Sequence, residues 1–79
     1  MSRIDLEVKN AISEQLDTDF ENISNSDNFF TDLGGDLIEL VELVISLEEK
    51  LKKNIKDGKI ETIKTVEDII RCFENSEKL

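Results

Sequence analysis

The sequence predicts a small all-α bundle of three to four helices with a long loop between helices one and two. Two observations carry that prediction. Apolar residues recur at a spacing near 3.6 in three separate stretches, each opened by a Ser, Asp or Thr suited to an N-cap. With no proline and three glycines, the punctuation between those stretches falls to caps and to Asn, Asp and Ser clusters. The length of 79 residues allows one small domain, spanning residues 1–79.

Helix one runs from about Ser2 to Leu16. Ser2 with Asp5 three residues later resembles a capping box in which Asp replaces the usual Glu or Gln. Ile4, Val8, Ala11, Ile12 and Leu16 then mark one face, while Glu7, Lys9, Asn10 and Glu14 occupy others. Residues 17–35 interleave acidic, Asn and Ser positions with apolar anchors at Phe20, Ile23, Phe29, Phe30 and Leu33, more than a solvated linker would carry. A structured loop is expected there, closing on Gly34-Gly35, where backbone freedom is greatest.

Asp36 caps helix two, and Glu39 completes the box. Leu40, Leu43, Val44, Leu47 and Leu51 are spaced to face a core; Ile38, Val41 and Ile45 form a neighbouring stripe beside Glu39, Glu42, Glu48 and Glu49. Either that stripe is an exposed, acid-rimmed contact face, or it is further core on a helix apolar all round. Lys52 to Lys64 is basic and broken at Asp57-Gly58, predicting at most a helical turn around Lys59–Ile63. Thr65 and Asp68 read as another capping box, followed by Val66, Ile69, Ile70 and Phe73 on the buried face of a last helix ending near Asn75.

Composition narrows the function. With no histidine, Ser-His-Asp, Cys-His and His-based zinc chemistry are excluded, and an enzyme would have only carboxylates, lysines and one thiol, in no convergent constellation. Asp17-x-Asp19-x-Glu21 begins like a calcium loop but has Asn22 at its sixth position and Asn28 at its twelfth, so no metal site is expected. Cys72 cannot form an internal disulfide, which fits a reducing cytoplasm, and no cationic pocket is foreseen around it. Apolar runs are too short for a membrane helix, and neither a membrane span nor a secretory signal is expected.

The net charge of −9 is unevenly placed. Residues 1–49 hold 13 acidic and 2 basic side chains, whereas residues 50–64 hold 2 and 6. Such an acidic surface repels nucleic acid and anionic membranes and favours basic protein partners through a salt-sensitive encounter. A monomer is expected.

The stretch Asp32-Leu33-Gly34-Gly35-Asp36-Leu37-Ile38-Glu39-Leu40-Val41-Glu42-Leu43 resembles the attachment region of acyl and peptidyl carrier proteins, whose pattern is Leu-Gly-x-Asp-Ser-Leu/Ile. The resemblance runs without gaps from Glu14-Gln15-Leu16 through Leu47-Glu48-Glu49 to Thr65-Val66. It implies a four-helix carrier domain whose serine at the start of helix two receives 4′-phosphopantetheine through a phosphodiester. That position is Leu37, which has no hydroxyl and is not competent for attachment. Thr31 lies six residues upstream, and Ser46 lies nine along the helix, about 13 Å away; neither matches the motif position.

Around Leu37 the expected cofactor-side residues are Gly35, which with Gly34 leaves room for close approach, and Asp36, whose carboxylate stands beside the attachment point. Asp36 also suffices as a plain N-cap, and both readings stand. The resemblance further implies docking to basic patches of carrier-binding enzymes, the transferase and the synthases of fatty acid, polyketide or related acyl transfer. Asp36, Glu39, Glu42 and Glu48 would supply charge, and Ile38, Val41 and Ile45 contact area. Lys52, Lys53, Lys56, Lys59 and Lys64 depart from a region commonly acidic in the family, with Lys56 where a proline is common; they form either a solvated surface or one that weakens docking to the third helix. The expected function is that of a carrier-family protein that presents its acidic helix-two face without an arm at residue 37. The alternative is a small acidic adaptor that kept the fold and abandoned covalent chemistry.

Overall fold

The structure is a computed structural model and describes residues 2–78, the side chains at 57, 77 and 78 excepted. The element order is α1 (Arg3–Leu16), a single 3₁₀ turn (Phe20–Asn22), α2 (Leu37–Leu51), β1 (Lys53–Asn54), α3 (Asp57–Ile60), α4 (Val66–Glu74) and β2 (Glu77–Lys78). The all-α bundle and its long first loop are as the sequence predicts.

Ser2 stands outside α1 as its N-cap, and its Oγ accepts from the Asp5 N–H at 3.1 Å. The helix stops where Asp17 turns left-handed at φ 53° and returns its N–H to the Ser13 carbonyl. Val8, Ala11 and Ile12 are buried against α2 and α4, whose inward faces are Leu40, Leu43, Val44 and Leu47, and Val66, Ile69, Ile70 and Phe73. These are the faces marked by the 3.6-residue spacing, because burying one apolar stripe per helix is what stabilises so short a chain.

The loop is ordered by its own polar groups. Asn28 Oδ1 accepts from the N–H groups of Phe30 at 2.8 Å and Thr31 at 3.0 Å, and Asp32 Oδ2 accepts from Asn28 N at 2.7 Å. Backbone bonds then stitch it to the approach and first turn of α4: Phe29 N to Lys64 O at 2.8 Å, Val66 N to Asp27 O at 3.0 Å and Glu67 N to Asn25 O at 2.9 Å. Ile23 and Phe29 enter the core, and Phe29 meets Phe30 edge-on, with ring centroids 5.5 Å apart.

After α2 the chain departs from expectation. Lys52 ends the helix at φ 54°, and β1 pairs antiparallel with β2, a two-residue ribbon that the sequence did not announce. The helical turn starts at Asp57 and ends at Ile60, earlier than the expected 59–63. Gly58 is not among the positive-φ residues and so continues the turn instead of breaking it. Ile55 before the turn and Ile63 after it are both buried, and anchoring those two side chains fixes where the intervening residues coil.

Candidate functional site

Asp36 fixes the start of α2. Its Oδ1 accepts from Glu39 N at 2.7 Å, and Glu39 Oε1 accepts from Asp36 N at 3.1 Å, closing the capping box. Gln15 Nε2 donates to the Glu39 carbonyl at 2.6 Å, tying this first turn to the end of α1. Leu37 therefore occupies the first helical position on a firmly held turn, with 62% of its surface exposed.

Gly34 and Gly35 do different work. Gly34 adopts φ +76° and has open space beside it. A Cβ at buried Gly35 would stand 2.7 Å from Cζ and 2.8 Å from Cδ2 of Phe29, so the place of its missing side chain is filled by the aromatic ring. The room expected at Gly34-Gly35 exists at the first glycine, and the second is a packing requirement.

Four apolar side chains run along the outward side of α2: Leu37, Ile38 at 71% exposure, Val41 at 36% and Ile45 at 52%. Their exposure decides against the all-round-core alternative for Ile38, Val41 and Ile45. At about 100° per residue, Val41, Ile45, Glu42 and Glu49 all fall within about 60° of Ile38, whereas Glu39 falls about 100° away on the other flank. Glu42 and Glu49 are exposed on that face.

The carboxylates are thus not equivalent. Glu39 is committed to the capping box, and Glu48 Oε2 accepts from Ile55 N at 2.8 Å, holding the chain that leaves α2. Sequence spacing grouped Asp36, Glu39, Glu42 and Glu48 as one set of steering charges. The structure adds a distinction within that set: Asp36, Glu39 and Glu48 each accept a backbone N–H as well as carrying charge, whereas Glu42, like Glu49, lies exposed beside the apolar stripe.

Leu37 also borders a shallow groove of about 290 Å³ with Phe30, Thr31, Ile60 and Ile63. Thr31 is thereby brought to the same groove as Leu37, a proximity that six residues of loop do not reveal. Ser46 is half-buried partway along α2.

A correction concerns Cys72. A concavity of about 470 Å³ includes it together with Lys56, Lys59 and Arg71, the cationic surroundings that the sequence did not foresee. Burial nevertheless pushes the thiol pKa up, Lys59 opposing and Asp68 adding to the rise, so Cys72 is a poor nucleophile at neutral pH. No helix among the described residues is long and apolar enough to cross a membrane.

The chain matches the family model of the phosphopantetheine attachment site over residues 7–73. It is 39% identical over 70 residues to an acyl carrier protein of Wolinella succinogenes, the match covering 89% of this chain and 92% of that protein. The crystal structure of an acyl carrier protein from Thermotoga maritima resembles it with a TM-score of 0.71 at 29% identity, over 84% of this chain and 76% of that one.

Proposed function

The chain belongs to the acyl carrier protein family, whose mark is a phosphopantetheine attachment site, and from that premise we propose that it presents the outward face of α2 to basic patches of acyl-transfer enzymes without carrying an arm at residue 37. The observation that carries this reading is the contiguous exposed stripe Leu37, Ile38, Val41 and Ile45 flanked by Glu42 and Glu49. An apolar strip with an acidic border is suited to a partner that buries the strip and matches the border with cations.

The prosthetic group that the family implies, 4′-phosphopantetheine, does not fit at Leu37. A phosphodiester needs an oxygen nucleophile, and the side chain at this exposed first helical position is hydrocarbon. What remains is recognition, performed by one chain as a non-enzymatic partner at the cytoplasmic enzymes of fatty acid, polyketide or related synthesis. The second reading, an acidic adaptor that has left the carrier cycle, is favoured by the same leucine.

Incubation with coenzyme A and a phosphopantetheinyl transferase, followed by intact and peptide mass analysis, tests the proposal. The expected result is no gain for the chain with Leu37 and one phosphopantetheine on Leu37→Ser. A gain on the unaltered chain, at Thr31, Ser46 or elsewhere, overturns the armless reading. Refusal of Leu37→Ser by the transferase points to the adaptor.

A further inference from the structure

The concavity beside Cys72 shares no lining residue with the groove at Leu37 or with the stripe on α2. We propose that it binds a phosphate monoester of a hydroxyl-bearing small molecule, such as a sugar phosphate or a nucleotide, with Lys56, Lys59 and Arg71 taking the phosphate and Asp68 and Asn75 the hydroxyls.

Charge is the first argument. In a chain of net −9, three cations line one pocket, and among its described lining residues Asp68 is the single carboxylate. Asp68 is held in place through one oxygen, its Oδ2 accepting from Lys64 N at 2.9 Å and Thr65 N at 3.0 Å within the α4 capping box, which leaves Oδ1 for a ligand hydroxyl. The ion pair found among the described residues joins Arg71 to Glu67 at 3.3 Å on an exposed helix face. Lys56 and Lys59 therefore bring positive charge to the cavity that no described carboxylate cancels within ion-pair distance.

The surroundings are compatible with an anion. The pocket lies beside the C-terminal end of α4, where unsatisfied carbonyls would repel one. Here the Phe73 carbonyl accepts from Lys53 Nζ at 2.7 Å and from Ser76 Oγ at 2.9 Å, which satisfies one of those carbonyls and places a fourth cation nearby. Size is the last argument. A volume of about 470 Å³ exceeds what a bare phosphate fills and falls within the range of roughly 300–1,000 Å³ typical of small-molecule sites. Ile55 and the Cys72 thiol supply apolar wall for the organic body, while Thr62 and Asn54 add polar groups at the rim.

The experiment titrates the full chain with AMP, glucose 6-phosphate and inorganic pyrophosphate, following backbone amide shifts, with adenosine and glucose as uncharged controls. Saturable shifts confined to residues 54–62 and 68–76 are expected for the phosphate esters and none for the controls. Lys59→Glu should weaken binding by roughly tenfold or more, since it removes and reverses one charge-assisted contact. Lys9→Glu, on α1 and outside the pocket, makes the same change in net charge and should leave binding unaltered. Cys72 gives an independent readout: AMP should slow its reaction with a neutral aromatic disulfide in the unaltered chain but not in Lys59→Glu. Absence of saturation, equal weakening by both lysine variants, or binding of pyrophosphate alone overturns the proposal. The last result would mean a site for charge without a place for the ester's body.

Discussion

Leu37 and Gly35 stand two residues apart and answer opposite constraints. Leu37 is mostly exposed at the first turn of α2, so replacing it opens no cavity. Serine is a poorer helix former by tenths of a kcal/mol, and Leu37→Ser should therefore shift the unfolding free energy by less than about 0.5 kcal/mol in urea titration. A loss of about 2 kcal/mol would instead mark residue 37 as core. Gly35→Ala should be far more costly, because its methyl group would enter the ring of Phe29, which is fully buried. Overpacking of that kind costs about 1–3 kcal/mol. If Gly35→Ala unfolded at the urea concentration of the unaltered chain, the ring would not be the constraint described. Residue 37 is thus mechanically permissive, and Gly35 is not.

At the scale of elements, the helices are begun by local hydrogen bonds and held by their buried stripes. Thr65 Oγ1 accepts from Asp68 N at 3.1 Å, and the Asp68 carboxylate accepts from Thr65 N, starting α4 where the loop is also stitched to it. Burial would raise the Asp68 pKa, but the bonds from Thr65 and Lys64 and the charge of Arg71 outweigh it and leave the group below its ordinary 3.8. A depressed carboxylate contributes stability that is fully present above the ordinary value and is lost as pH falls through the folded one. The urea midpoint of the unaltered chain should therefore fall more between about pH 5 and about pH 3 than that of Asp68→Asn, which has no charge there to lose. Equal falls would remove Asp68 from the account. These caps were legible in the sequence because Ser2-x-x-Asp5, Asp36-x-x-Glu39 and Thr65-x-x-Asp68 each lie within four residues, and the core faces of α2 and α4 because a 3.6-residue period is local too. The ribbon of β1 and β2 was not, since Lys53 pairs with Lys78 across 25 positions and two-residue strands carry no period. Ile55 and Ile63 were hidden for a related reason: in a lysine-rich stretch, apolar residues at irregular spacing become core only once the neighbouring helices are in place.

For the whole molecule, the governing feature is the separation of an acidic α2 face from the lysines that follow it. The sequence disclosed the stripe of Ile38, Val41 and Ile45, but it could not show which carboxylates were spent on the backbone, because the bond from Ile55 N to Glu48 spans seven residues of irregular chain. That distinction changes what charge reversal should do. Glu42→Lys should slow association with a basic acyl-transfer enzyme, and the effect should shrink as salt rises past about 0.1 M, where the Debye length is about 10 Å. Glu39→Lys removes a carboxylate from the capping box, so its principal effect should be on unfolding, by about 1 kcal/mol, with a smaller change in association rate than Glu42→Lys. Ile45→Ala keeps all the charge and removes contact area, so it should leave association nearly unchanged and speed dissociation. Stopped-flow association at two ionic strengths, paired with urea unfolding of each variant, separates the three. Should Glu39→Lys slow association as much as Glu42→Lys while leaving stability intact, the partner approaches from the flank of α2 that carries Glu39, and the stripe is not the docking surface.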